Sequence, residues 1–187
     1  MAPLIVLLAS FLILLAVRGL YHKLSVGRAG RIAFGAMLLF TGTSHFYMTE
    51  GMVMSMPPFF PAKEALVYAT GALEIAFAFV LVGSKDPSMV AKLLLAFLVA
   101  VFPANVYAAL NNIDIENATY GGPGPSYLLF RAPLQLFFMA WVYYFGIYRP
   151  RVAKVHKETM WVVREQEGRV DVIEWEESEP KYRHHWD

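Results

Sequence analysis

Apolar residues run through this chain in five long windows, approximately Leu4 to Val17, Ile32 to Met48, Ala65 to Val82, Val90 to Leu110 and Tyr127 to Tyr148. A membrane-crossing helix needs roughly 20 mainly apolar residues, so each window reads as a span, the first being the shortest. No basic residue precedes that first window, and Arg18 to Lys23 stand where a small-residue cleavage site would follow it. The pattern predicts a retained helix rather than a removed signal peptide. Beyond Tyr148 the rhythm changes. Thr159 to Glu165 and Arg169 to Trp175 alternate apolar and charged residues around Glu167-Gly168, which predicts a β-hairpin. A lone hairpin is marginal in water, so this one is expected to pack on the helix ends, on a second copy or on a protein partner.

The connections between windows alternate in charge. Arg18, Lys23, Arg28 and Arg31 follow the first window, whereas Glu50 to Pro61 holds no Lys or Arg. Lys85 and Lys92 mark the third connection, Asn111 to Ser126 has no basic residue, and Arg149, Arg151, Lys154 and Lys157 leave the fifth window. By the positive-inside rule this predicts a multi-pass membrane protein of five spans, with the N-terminus outside and the C-terminus cytoplasmic. Composition agrees, with 57% of the 187 residues apolar and 17% charged, against about 45–50% and about 25% for soluble domains. The net charge of +1 gives no basic face for a nucleic acid. With no cysteine, the chain has no disulfide, covalent haem attachment or Cys-ligated cluster, so redox chemistry would need a bound cofactor or a partner. His184-His185 at the chain end make no closed metal site, and Met48, Met52, Met54 and Met56 read as apolar filler rather than copper ligands.

Polar residues inside apolar windows are costly in hydrocarbon and mark function or a buried partner. Five of them, His45, Glu74, Asn105, Arg131 and Gln135, fall in the predicted outer half, with Arg131 and Gln135 at i, i+4 on one helix face. Their simplest arrangement is one cluster in which Glu74 and Arg131 are complementary charges and the others complete the hydrogen bonding. Pro103 and Pro133 remove the helical donors to the carbonyls of Val99 and Leu129, which predicts bends beside the cluster. The same residues also suit a purely structural role as interhelical glue. Gly35, Gly42, Gly71 and Ala72 read as packing positions, and Trp141, Tyr143, Tyr144 and Tyr148 as an interfacial belt. The ionisation of Glu74 is open, since burial and a nearby arginine act in opposite directions.

Thr41-Gly42-Thr43-Ser44-His45-Phe46, Met56-Pro57-Pro58-Phe59-Phe60-Pro61, Thr70-Gly71-Ala72-Leu73-Glu74-Ile75, Phe102-Pro103-Ala104-Asn105-Val106-Tyr107 and Arg131-Ala132-Pro133-Leu134-Gln135 with Trp141-Val142-Tyr143 follow one another in order. This ordered set resembles the DoxX-like membrane proteins over approximately Arg31 to Tyr148. The resemblance implies a four-helix bundle of the bacterial inner membrane, associated with quinone-linked oxidoreductase systems and with maturation of partner enzymes. The extra N-terminal helix and the long tail depart from that pattern. The expected organisation is an N-terminal transmembrane helix and basic loop at 1–30, a DoxX-like bundle at 31–148 and a cytoplasmic tail at 149–187. The expected function is an all-α accessory membrane subunit that touches a quinone or lipid-like molecule at the five-residue cluster. Its partners would be the bilayer, a membrane or cytoplasmic protein docked through the tail, and a second copy in a homo-oligomer. A small-molecule or proton-coupled transporter using a carboxylate at mid-membrane depth is the alternative, followed by an enzyme acting on lipid-like substrates through Glu74 and His45.

Overall fold

The computed structural model describes residues 2–20 and 24–156. Five long helices dominate: α1 (Ala2–Leu20), α2 (Val26–Tyr47), α4 (Lys63–Gly83), α5 (Ser88–Leu110) and α6 (Leu128–Tyr143). A short helix, α3 (Thr49–Met54), follows α2. A two-residue ladder of β1 (Ile113–Asp114) and β2 (Thr119–Tyr120) precedes α6. After Tyr143 the backbone widens into a π turn, Tyr144–Tyr148, and continues helically through 149–156. The predicted tail hairpin and His184-His185 lie outside the described residues.

Four helical segments, Ala2–Gly19, Lys63–Gly83, Ser88–Leu110 and Pro125–His156, are long and apolar enough to cross a membrane, consistent with an all-α membrane protein. The outward faces support this reading, since Leu12, Phe79, Leu93, Val99 and Leu129 all stand exposed in a pattern that water would penalise. α2 has a spanning length of about 33 Å at 1.5 Å per residue, yet it falls outside that set of four. Its sequence carries Arg28, Arg31, His45 and a run of Gly, Ser and Thr. Its position explains the composition: α2 is enclosed by α1 and α4, with the π turn of α6 also against it. Eight of its residues are buried, from Ala29 to Gly42. A helix that sees protein on most sides needs small surfaces more than apolar ones. It also starts ahead of the apolar window, at Val26, because Ser25 caps it by accepting from the Arg28 N–H at 3.2 Å.

The core lies along α2. Phe34, Met37 and Leu38 meet Ala78 and Leu81 of α4, Leu94 and Leu98 of α5, and Leu134 and Phe138 of α6, with Leu7 of α1 fully buried among them. Glycines set the closest crossings. A Cβ on Gly35 would stand 2.9 Å from Val82, and Cβ atoms on Gly42 or Gly71 would each stand 2.9 Å from the other's carbonyl oxygen. Three of the four predicted packing positions therefore lie at helix contacts, whereas Ala72 is exposed because it sits on the outer face of α4.

Trp141 also departs from expectation. Its indole N–H donates to the Gly30 carbonyl of α2 at 3.0 Å, and its ring meets Phe11 of α1 at 4.9 Å and Phe145 at 4.9 Å. It fastens three helices together, while Tyr143, Tyr144 and Tyr148 do face outward. The π turn follows from the same crowding. Phe145, Gly146 and Ile147 are buried in succession, so this turn is enclosed by α2 on one side and α5 on the other. Phe145 packs where Gly30 has no side chain, and Gly146 packs against Ala91.

Candidate functional site

The helices bring the five sequence-predicted polar residues toward the bundle interior in two separate groups. On α4 the buried stripe runs Val67, Gly71, Ala78 and Leu81, and Glu74 falls in step with it at alternating spacings of four and three. A carboxylate thus occupies a core register position. Its partner is His45 of α2, whose Nε2 lies 3.6 Å from Glu74 Oε1 with both side chains largely buried.

The other ring nitrogen shows how the histidine is held. His45 Nδ1 lies 3.0 Å from the Val67 carbonyl oxygen and 3.2 Å from Thr70 Oγ1. A carbonyl oxygen only accepts, so Nδ1 carries a proton and donates it. The Thr70 hydroxyl spends its own proton on the Leu66 or Val67 carbonyl, each at 2.9 Å, and turns a lone pair to the imidazole. Gly71 makes this cross-helix bond reachable. A helical side chain leans over the turn before it, so any residue larger than glycine at 71 would cover the Val67 carbonyl. A Cβ there would stand 2.6 Å from His45 Cβ. Two small residues, one on each helix, thus put an imidazole against the α4 backbone.

Glu74 Oε2 is buried and has no hydrogen-bond partner among the described residues. Such an atom is uncommon in a folded protein, because an unsatisfied buried acceptor costs about 1–3 kcal/mol.

The second group joins α5 and α6. Arg131 donates through Nε and Nη2 to Asn105 Oδ1 at 3.2 and 3.0 Å, and Asn105 turns its amide to the Val101 carbonyl at 3.4 Å. Gln135, one turn further along α6 and buried, donates to the Leu98 carbonyl of α5 at 2.8 Å. Leu98 precedes Val99, the residue whose carbonyl Pro103 leaves without its helical donor. The captured carbonyl is thus the neighbour of the one the proline pattern suggested.

The expected ion pair of Glu74 with Arg131 is not formed. Glu74 faces α2 and Arg131 faces α5, because α4 packs chiefly on α2 while α6 packs on α5. Arg131 nonetheless has Tyr127 and Glu74 as its electrostatic neighbours, a longer-range interaction without contact. Among the described residues Arg131 Nη1 has no hydrogen-bond partner. Sequence reading missed Thr70 and the Val67 carbonyl. The i+25 relation of Thr70 to His45 leaves no periodic signal, although the glycine one residue after Thr70 was visible.

Over this end of the bundle lies a cap. Gly51 of α3 sits against the Ile115 carbonyl, and Lys63 Nζ donates to the Met56 carbonyl at 2.8 Å. In the following loop Asp114 accepts from the backbone N–H groups of Glu116 and Asn117 at 3.0 and 3.2 Å and from the Asn117 amide at 2.8 Å. Those bonds to Asn117 lead the causes holding the Asp114 carboxyl below its ordinary value of 3.8.

A family model described as a domain of unknown function (DUF8561) matches residues 34–146, more than half of the chain and all five polar residues. No curated protein and no solved structure matches.

Proposed function

We propose, because the chain belongs to the DUF8561 family and that family carries no assigned activity, a function read from its own interior. The protein is an accessory membrane subunit that holds a lipid-like or quinone-type molecule at the polar face shared by α2, α4, α5 and α6. It serves an oxidoreductase system, the association that its resemblance to DoxX-like proteins implies. In this reading five helices span the inner membrane, α2 among them, with the C-terminus cytoplasmic.

One observation carries the ligand reading. Glu74 Oε2 is a buried acceptor that finds no donor among the described residues, while the nearby Arg131 guanidinium donates through Nε and Nη2 to Asn105 and not to it. An acceptor this costly to bury is retained where something from outside the chain completes it. Interhelical glue alone would leave no such acceptor unpaired. The His45 and Glu74 couple also suits the second reading, a proton-coupled transporter, since a carboxylate beside an imidazole on two packed helices resembles the sites of proton relays.

Mass spectrometry of the protein extracted gently from its own membrane tests the proposal, with the Glu74→Gln/Arg131→Gln double variant as control. The expected result is a small amphiphile in stoichiometric amount, present in the wild type and lost in the folded variant. Its absence from both overturns the ligand reading. Deleting 158–187 is expected to release a copurifying protein while leaving the bundle folded, and retention of every such protein overturns the accessory role.

A further inference from the structure

We infer that Glu74 Oε2 is a hydrogen-bond-accepting subsite that selects a hydroxyl- or N–H-bearing headgroup over one that only accepts, an inference that rests on the ligand reading above.

Proton positions lead to it. His45 Nδ1 is committed as a donor to the Val67 carbonyl. Nε2 therefore faces Glu74 Oε1, at 3.6 Å, either as a bare lone pair or carrying a second proton. A lone pair against a carboxylate anion is repulsive, and the Arg131 guanidinium, which donates to Asn105, makes no ion pair with Glu74 that would offset it. The pair therefore holds one proton between Nε2 and the carboxyl group, as imidazolium with carboxylate or as imidazole with carboxylic acid. In the acid form the proton sits on Oε1, toward the Nε2 lone pair, and not on Oε2, which has no partner among the described residues. Both arrangements give Oε2 the same character: it accepts and does not donate.

The groups facing this position complete the chemistry. His45 of α2 meets the other carboxylate oxygen, Thr70 of α4 has its proton spent on a backbone carbonyl, and the Arg131 guanidinium of α6 donates to Asn105. No donor reaches Oε2 from any of them. A hydroxyl or N–H can donate to Oε2, whereas an ether or ester oxygen has no proton to offer it. The Glu74 side chain keeps 12% of its surface exposed, and its terminal torsion is soft, so a small rotation presents the oxygen to a headgroup.

A matched pair of probes isolates the donor: 4-nonylphenol and its methyl ether, 4-nonylanisole. The full-length protein in lipid nanodiscs, with ¹⁵N-labelled histidine, is titrated with each, and the His45 ring nitrogens are followed by NMR. The phenol is expected to bind about tenfold tighter or more, the ratio a charge-assisted hydrogen bond gives, and to shift His45 Nε2 while Nδ1 stays protonated. Equal or tighter binding of the ether overturns donor selection and leaves the ligand reading standing. Binding of neither probe overturns both. A His45 found with its proton on Nε2 and a bare Nδ1 overturns the proton count on which the inference stands, whichever probe binds.

Discussion

Gly71→Ala is the sharpest test of how this site is built, because one methyl group attacks the crossing that seats His45. The added Cβ would stand 2.6 Å from His45 Cβ and 2.9 Å from the Gly42 carbonyl oxygen. Ordinary carbon contacts lie near 3.5–4.0 Å, so α2 and α4 must part by roughly 1 Å. Neither obstacle is the far end of a flexible side chain, and rotamer changes give no relief. Overpacking of this kind costs about 1–3 kcal/mol, offset by up to about 1 kcal/mol because alanine favours a helix over glycine. The net expectation is destabilisation of up to about 2 kcal/mol against wild type, and of about 1–3 kcal/mol against a Gly→Ala change that meets no neighbour. Parting the helices by that amount also carries His45 Nε2 and Glu74 Oε1 from 3.6 Å beyond about 4 Å, and pulls Nδ1 off the Val67 carbonyl. Gly83→Ala is the control, since nothing lies within 4 Å of a Cβ at that position. Unfolding of both variants in nanodiscs or mild detergent, with the His45 ring signals read by NMR, measures the two consequences together. A Gly71→Ala protein that matches Gly83→Ala in stability and keeps the wild-type His45 signals would refute the reasoning.

Three other outcomes follow from the geometry. A double-mutant cycle on Arg131→Gln and Asn105→Ala should show coupling of about 1.5–3 kcal/mol, as for hydrogen bonds to a charged group. The Glu74→Gln and Arg131→Gln cycle should show distinctly less; equal coupling energies would contradict the two-group arrangement. Ala62 initiates α4 with φ of 47°, a left-handed conformation in which its Cβ is strained, so Ala62→Gly should raise the unfolding free energy by up to about 1 kcal/mol. A lower midpoint in thermal unfolding would count against that. The carboxyl of Asp114 titrates below its ordinary 3.8 in the fold. Its stabilisation of the loop is thus present above the unfolded value and lost as pH falls through the depressed one. Amide signals of Glu116 and Asn117 should hold from neutral pH down past 3.8 and move only below it; movement centred above that value would show that the turn is not held by the ionised carboxylate.

The existence and extent of the helices were legible because apolar windows near 20 residues have few alternatives, and the structure places long helices over all five. The polar residues turned toward the interior were legible for the related reason that such groups in apolar windows are conspicuous. Their partners were not. Complementary charge suggested Glu74 with Arg131, but charge carries no information on which helix neighbours which, and the glycines of α2 and α4 decided that Glu74 meets His45. Trp141 likewise satisfies the composition of an interfacial belt, while its tie to Gly30 depends on a helix 111 residues earlier in the chain.

Sequence alone determined what is local or additive along the chain: helix lengths, the alternation of basic loops, the absence of thiol chemistry and the short list of costly polar side chains. Tertiary structure decided what depends on approach between distant segments. It enclosed α2, the least lipid-like of the long helices, opened the Val67 carbonyl to an imidazole through a missing side chain at Gly71, and left one oxygen of Glu74 without a donor. Hydrophobicity and charge can be summed from residues, but hydrogen-bond satisfaction is a relation between positions fixed only when the helices pack.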